Sequence, residues 1–178
     1  MRRRLFLLLI ALHALVLVGW AASLEWALAR AATIRVAVVQ RDPRDLLRGD
    51  YIWLEYRFSE IPVSAIAGPR RPQTGDSVWV ALAPRDGVWE MTAASLARET
   101  LPLVPGQRVL AGTVDWEIPA GRSREAVRVR VRYGIERYYV PESKGRPPRW
   151  DKMEAELALT EGGRPFLTRL FLDGRPYP

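Results

Sequence analysis

The spacing of hydrophobic residues divides the chain into a helical segment and a longer segment of alternating residues. Residues 5–22 are apolar at every position except His13, and arginines occupy positions 2–4. A helix of about 18 residues rises roughly 27 Å, close to the thickness of the hydrocarbon core of a bilayer. The pattern therefore predicts one N-terminal transmembrane helix, with Trp20 and Trp26 near its outer interface.

A cleaved signal peptide is the alternative interpretation of this segment. Ala27-Leu28-Ala29 is a small-x-small triplet of the kind that signal peptidase accepts. The apolar run is, however, longer than the usual core of about 7–15 residues, and the charged Glu25 precedes the triplet. We therefore expect an uncleaved membrane anchor over residues 1–31.

The arginines on the two sides of the helix indicate its orientation. Those at positions 2–4 form a denser cluster, nearer the apolar run, than Arg30, Arg35 and Arg41 on the other side. Because basic residues are retained preferentially in the cytoplasm, this predicts a cytoplasmic N-terminus and an extracytoplasmic β-rich domain over residues 32–178. We expect a single-pass protein of the cytoplasmic (inner) membrane.

Beyond residue 32 the apolar residues follow the alternating spacing of strands. One face of a first strand carries Ile34, Val36 and Val38. A second strand is predicted over residues 51–58, and its core side carries Ile52, Leu54, Tyr56 and Phe58. Further strands are expected within residues 75–82, 88–91, 108–117, 126–133, 154–160 and 166–172, with a loop over residues 59–74.

Turn signals separate these strands, with no alternation of helices and strands between them. Asp86-Gly87 and Gly162-Gly163 are typical of β-hairpin turns, and Gly49-Asp50 and Gly75-Asp76 each open a strand. Many short strands joined by turns predict a mainly β fold. We expect a small barrel- or sandwich-like antiparallel domain behind one N-terminal transmembrane helix.

The composition removes several kinds of functional site. The chain has no cysteine, and its one histidine, His13, lies in the apolar segment. A thiolate zinc site, a thiol nucleophile and a Ser-His-Asp triad in the β-rich domain are therefore excluded, and no glycine-rich phosphate loop occurs. The net charge of +7 includes the three N-terminal arginines, and the mild remaining excess does not indicate nucleic-acid binding. We expect neither a metal nor a cofactor.

Two possible reactive sites remain in the sequence. A Ser/Lys hydrolase needs a desolvated lysine, and only Lys144 and Lys152 are available. Asp42, Asp45 and Asp50 carry oxygen ligands suited to a hard cation, but the interleaved arginines at positions 41, 44 and 48 favour a local ion-pair network. These observations favour a protein that is not an enzyme, with the hydrolase as an alternative.

A stripe of arginines lies in the predicted strand over residues 126–133. Arg128, Arg130 and Arg132 alternate with valines, so they stand about 6.7 Å apart on one face of the strand. Such a stripe is typical of a solvated outer face that protects a strand from edge pairing. The alternative is a surface that binds anionic lipid or an acidic cell-envelope polymer.

Four short motifs stand out along the chain, namely Asp-Pro-Arg-Asp at 42–45, Gly-Asp-Tyr-Ile-Trp-Leu-Glu-Tyr at 49–56, Glu-Arg-Tyr-Tyr-Val-Pro-Glu at 136–142 and Leu-Asp-Gly at 172–174. Together they resemble the GDYXXLXY family, a group of bacterial membrane-anchored proteins of unknown function. The resemblance implies an inner-membrane-anchored protein that acts beside multi-pass membrane proteins, and it carries over no catalytic residue. The signature positions are Asp45, Asp50, Tyr51, Tyr56, Glu136, Tyr138, Tyr139 and Glu142.

The function that these observations favour is a non-enzymatic accessory or interaction domain for another membrane or envelope protein. The contact residues that we predict are Tyr51, Trp53, Tyr138 and Tyr139, because aromatic side chains are enriched in interface cores. For the tyrosine run, half-burial against the first strand, which carries Ile34, Val36 and Val38, is the default interpretation, and an exposed recognition cluster is the other.

Overall fold

The structure, a computed structural model, describes residues 2–39, 51–119, 126–139 and 151–177. The first of these ranges begins with a single long helix, α1 (Arg2–Ala29), which is long and apolar enough to cross a membrane. A signal sequence near the N-terminus can also be this long and apolar, so the helix alone does not separate an anchor from a leader. The prediction of one N-terminal apolar helix is confirmed, and its orientation stays a prediction.

The rest of the described chain consists almost entirely of strands and the turns between them. The strands are β1 (Ala32–Val39), β2 (Tyr51–Trp53), β3 (Glu55–Tyr56), β4 (Glu60–Pro62), β5 (Ile66–Ala67), β6 (Ser77–Arg85), β7 (Val88–Ser95), β8 (Arg108–Pro119), β9 (Ala126–Arg132), β10 (Arg137–Tyr139), β11 (Met153–Leu159), β12 (Pro165–Leu172) and β13 (Arg175–Tyr177). Two short 3₁₀ turns lie at Val63–Ala65 and Arg98–Thr100.

These strands form two sheets and a two-stranded ribbon. The five-stranded sheet has the order β13-β12-β11-β1-β3, the six-stranded sheet has the order β4-β9-β8-β6-β7-β5, and β10 pairs with β2. The described pairs are antiparallel, apart from the parallel pair of β5 and β7. The predicted mainly β fold behind one helix is confirmed. The strands form a curled sheet with the shape of a half-barrel.

The core lies on the side of the strands that the alternating pattern predicts. Ile34 and Val36 of β1 have exposed fractions of 2% and 0%, and Ile52 and Leu54 both have 0%. Burying such side chains stabilises the fold by about 1.5–3 kcal/mol each relative to leaving them in water. The assignment of the core face in both segments is confirmed.

The segment after residue 50 differs from the single strand and loop that the sequence predicts. The strand breaks after Tyr56, because the Ser59 hydroxyl accepts the backbone N–H of Tyr56 while the Tyr56 carbonyl accepts the N–H of Ser59. The predicted loop over residues 59–74 contains β4 and β5. These strands have only three and two residues, too few to produce a readable alternation.

Two hairpin turns have the backbone conformation that a two-residue turn requires. The φ angles are 50° at Asp86 and 84° at Gly87, and 50° at Asp173 and 77° at Gly174. Positive φ at both central residues matches the right-handed twist of the flanking strands. The predicted hairpin at Asp86-Gly87 is confirmed, and so is the β11–β12 hairpin around Gly162-Gly163.

Candidate functional site

Two of the sequence motifs pair with each other in space. Strand β2, which carries the Tyr-Ile-Trp segment, lies antiparallel to β10, which carries the Arg-Tyr-Tyr segment. In this register Trp53 lies opposite Arg137, and Tyr51 lies opposite Tyr139. We call this pair of strands the signature ribbon.

The register of the signature ribbon continues into the pairing of β4 with β9. Ile61 lies opposite Val129 in that second ladder. Between the ladders, the N–H of Leu54 donates to the carbonyl of Glu136 at 2.7 Å, and the N–H of Val131 donates to the carbonyl of Ser59 at 2.8 Å. One antiparallel register therefore runs through residues 51–62 and 128–139, with an interruption at its centre.

Two buried tyrosines bridge this interruption reciprocally. The hydroxyl of Tyr56 donates to the carbonyl of Ile135 at 2.8 Å, and the hydroxyl of Tyr133 donates to the carbonyl of Phe58 at 2.7 Å. The Phe58 ring stacks on Tyr56 and meets Tyr133 edge-on, each at 5.3 Å between centroids. The signature residue Tyr56 is therefore a buried structural residue, 2% exposed, and does not reach the surface.

Both hydroxyls are held in their protonated, donating form. Burial, and secondarily the charge of Glu136, raises the pKa of Tyr56 and of Tyr133 well above the ordinary value. Because the phenolate is disfavoured in the folded state, the two hydrogen bonds persist throughout the neutral pH range.

Removing one of these hydroxyls should destabilise the fold. We expect Tyr56→Phe and Tyr133→Phe each to lower the free energy of unfolding by about 1–3 kcal/mol, because a buried carbonyl loses its donor. Equilibrium urea unfolding of the full chain in detergent micelles measures the change. Tyr139→Phe is the matched control, since Tyr139 is 68% exposed and its change should stay within about 0.5 kcal/mol. Equal changes in all three variants would contradict the bridging role.

The signature residue Glu136 also has a structural role. Its carboxylate accepts the backbone N–H groups of Tyr133 and Gly134, the latter at 2.9 Å. Gly134 has a φ of +80°, a left-handed conformation that glycine adopts without strain. Glu136 therefore stabilises the turn that directs the chain from β9 into β10.

The outer face of the signature ribbon presents aromatic side chains around an arginine. The rings of Tyr51 and Tyr139 lie 6.0 Å apart. The Arg137 guanidinium lies 5.4 Å from the Tyr51 ring and 5.7 Å from the Trp53 ring, within cation–π range. Arg137 and Tyr139 are exposed, whereas Tyr51 and Trp53 are half-buried.

Tyr138 lies on the opposite face, so the tyrosine pair is divided. Its ring packs against the core, and its hydroxyl donates to the carbonyl of Tyr177 at 3.3 Å. Consecutive residues of a strand point to opposite faces. Tyr138 is half-buried, as the default interpretation predicts, but its strand pairs with β2 and not with the first strand, β1. Tyr139 is the member of the pair that faces outward.

A pocket of about 400 Å³ lies beside the outer face, at the interruption of the register. Its lining includes three aromatic and three cationic side chains, namely Trp53, Trp116, Tyr139, Arg130, Arg132 and Arg137. Asp115 and Glu136 contribute acidic groups. The pocket therefore combines ring faces with charged groups of both signs.

The arginine stripe of β9 is not uniformly exposed, and the expectation of a solvated face is wrong for Arg130. That residue is only 9% exposed, and its guanidinium pairs with Glu55 and, at 2.8 Å, with Glu60. The Trp116 ring lies 5.0 Å from the guanidinium. The carboxylates come from β3 and β4, strands remote in sequence, so the alternation within β9 does not reveal them.

The two outer arginines of the stripe are exposed and also paired. The side chain of Arg128 is 48% exposed and approaches Glu60 at 3.7 Å. The side chain of Arg132 is 61% exposed and approaches Asp115 at 3.4 Å. Each therefore has an internal counter-ion, which lowers its attraction for an external anion.

The predicted reactive residues do not assemble a site within the described chain. Lys152 is 61% exposed and pairs with Glu154 at 2.6 Å, the reverse of the desolvation that a Ser/Lys base requires. Among the described residues, no three side chains of the metal-ligating types cluster. Lys144 and the acidic residues Asp42, Asp45, Asp50 and Glu142 lie outside the described ranges.

Comparison with known proteins supports one family assignment. No curated protein and no solved structure matches the chain. The family model described as GDYXXLXY protein matches residues 13–170, which include both strands of the signature ribbon and the strands on either side of the pocket. The function of that family is unknown. The chain therefore belongs to the GDYXXLXY family.

Proposed function

We propose that the protein is a membrane-anchored, non-enzymatic interaction domain for another membrane or envelope protein. Residues 1–31 act as an anchor in the cytoplasmic membrane with the N-terminus inside. Residues 32–178 act as an extracytoplasmic domain. The contact surface is the outer face of the signature ribbon together with the adjacent pocket.

The observation that carries this proposal is the convergence of the outward-facing motif residues on one surface. Tyr51 and Trp53 come from one motif, and Arg137 and Tyr139 come from the other. Tryptophan, tyrosine and arginine are the residue types that contribute most to the affinity of protein interfaces. The inward-facing motif residue Tyr56 bonds within the core, whereas Tyr139 of the outward group is 68% exposed.

The geometry gives less support to the other two interpretations. A Ser/Lys hydrolase has no desolvated lysine at Lys152, the one candidate lysine that the structure describes. A binder of anionic lipid or polymer needs arginines whose charge is available to the ligand. The three arginines of the β9 stripe instead have carboxylate partners within the domain.

Co-recovery of partner proteins from detergent-solubilised membranes tests the proposal. We expect Trp53→Ala and Tyr139→Ala each to reduce recovery of a reproducible partner about tenfold, because each removes a ring from the contact surface. Leu103→Ala is the matched control, since Leu103 is 48% exposed and lies on a different surface loop. Recovery of the partner with Leu103→Ala should equal its recovery with the wild-type chain.

Thermal unfolding of each variant separates a contact role from a structural role. Tyr139→Ala should unfold at the wild-type temperature, because its side chain is 68% exposed. Undiminished recovery with folded Trp53→Ala and Tyr139→Ala would overturn the proposal. Loss of recovery only where the variant is unfolded would also overturn it.

A further inference from the structure

Resting on the proposed function, we propose that the pocket beside the signature ribbon accepts one acidic side chain of a partner polypeptide, with Arg137 as its counter-ion. The apolar side chain next to that carboxylate packs on the aromatic wall of the pocket. This assigns the partner a chemistry, an aspartate or glutamate flanked by an apolar residue. It also identifies Arg137 as the residue that selects for the partner's carboxylate.

The ion pairs among the described residues of the pocket distinguish Arg137 from the other two arginines of the lining. Arg130 is neutralised by Glu55 and Glu60, and Arg132 faces Asp115. Within the described ranges, no carboxylate lies at ion-pair distance from the Arg137 guanidinium. The Glu136 carboxylate, the other acidic group of the lining, accepts two backbone N–H groups. The described part of the pocket therefore has one cation without an internal counter-ion.

The position of Arg137 suits recognition of a carboxylate. Its guanidinium lies 5.4 Å from the Tyr51 ring centroid and 5.7 Å from the Trp53 ring centroid, and the side chain is exposed. A guanidinium carries its N–H donors in a planar fork, so it can form two parallel bonds to a carboxylate.

The same balance of charges argues for a polypeptide carboxylate and against a phosphate group. A phosphate monoester carries close to two negative charges and three strong acceptor oxygens, so it requires several available cations. Among the described residues of its lining, the pocket offers one such cation, Arg137. Its volume of about 400 Å³ and its three aromatic side chains leave room for an apolar neighbour beside the anion.

Variants of Arg137 test this inference with the partner protein that the wild-type chain recovers. We expect Arg137→Gln and Arg137→Glu to lower its recovery about tenfold or more, and Arg137→Lys to lower it less. The matched control is Arg164→Glu, because Arg164 is also exposed and lies 5.2 Å from an aromatic ring, that of Phe166, away from the pocket. Recovery of the partner with Arg164→Glu should stay at the wild-type value. Substituting one acidic residue of the partner by arginine should restore binding to Arg137→Glu.

The outcomes separate this inference from the proposed function. Wild-type recovery with Arg137→Gln would overturn the carboxylate contact, while loss with Trp53→Ala would still support the interaction surface. Failure of every acidic-to-arginine exchange in the partner to restore Arg137→Glu would also overturn the inference. Arg137-dependent recovery of a lipid or a glycan in place of a polypeptide would overturn the choice of ligand class. If the wild-type chain recovers no partner at all, both the proposed function and this inference fail.

Discussion

The Arg130→Ala variant is expected to lose about 3–5 kcal/mol of unfolding free energy. The Arg130 side chain is 10% exposed, and the Glu55 carboxylate that it contacts is 12% exposed. Truncation removes a cationic partner of a carboxylate that remains largely out of water, which is costlier than losing an exposed pair. It also removes the packing of the guanidinium against Trp116. Urea unfolding of the full chain in detergent micelles, followed by circular dichroism of the β-rich domain, measures the loss.

The control for this prediction lies on the same strand and the same face. The Arg128 side chain is 48% exposed, lies 3.7 Å from the Glu60 carboxylate and donates to the Glu60 carbonyl at 3.3 Å. Because these contacts are exposed, Arg128→Ala should cost about 1 kcal/mol or less. The triple variant Arg130→Met, Glu55→Gln, Glu60→Gln should regain part of the stability, because it removes the buried charges together. Equal small losses in Arg130→Ala and Arg128→Ala would contradict the structural role of the buried pair.

The Leu54→Ala variant is expected to lose about 2–5 kcal/mol, because it leaves a cavity in the core behind the signature ribbon. Leu54 has an exposed fraction of 0% and belongs to the hydrophobic core cluster that both sheets share. The same unfolding measurement gives the loss. Leu103→Ala, at a residue that is 48% exposed, should change stability by no more than about 0.5 kcal/mol. A loss below 1 kcal/mol at Leu54 would mean that this signature leucine is not part of a packed core.

The features of the fold that the sequence predicts are those that depend on neighbouring residues, namely strand faces and turns. Alternation of apolar and polar residues identified the inward faces of β1 and of residues 51–58, since the period of a strand is two residues wherever one face is buried. Turn chemistry identified the Asp86-Gly87 hairpin, because few residues adopt positive φ at consecutive positions. Both signals depend only on neighbouring residues.

The pairing of distant segments was not predictable from these signals. Alternation shows which face of a strand is buried, but not which strand lies beside it. The pairing of β2 with β10 and the reciprocal bonds of Tyr56 and Tyr133 depend on that missing information. The burial of Arg130 was missed for the same reason, because its carboxylate partners lie on β3 and β4.

The candidate site was partly predictable from the motifs. The sequence predicts four contact residues. Tyr51, Trp53 and Tyr139 lie on one face of the signature ribbon, and Tyr138 lies on the other. Arg137 was not named as a contact residue. Its position in the Glu-Arg-Tyr-Tyr motif, two residues before Tyr139, was a signal that it shares a strand face with that tyrosine.

The family motifs therefore divide into two groups with different physical roles. Tyr56 and Glu136 bridge or cap the interrupted register, and their side chains are satisfied within the domain. Tyr51 and Tyr139 lie on the outer face, where the described chain gives them only each other and Arg137 as ring partners. A motif whose outward residues converge in this way is typical of a contact surface.

Site-specific photocrosslinking in intact membranes tests the contact surface most directly. A photoreactive residue at Tyr139, which is 68% exposed, should capture one protein of reproducible mass. The same probe at Val104, which is 62% exposed and lies outside the signature ribbon, should not capture that protein. Capture of the same species from both positions, or of none from Tyr139, would contradict an interaction surface on the outer face of the signature ribbon.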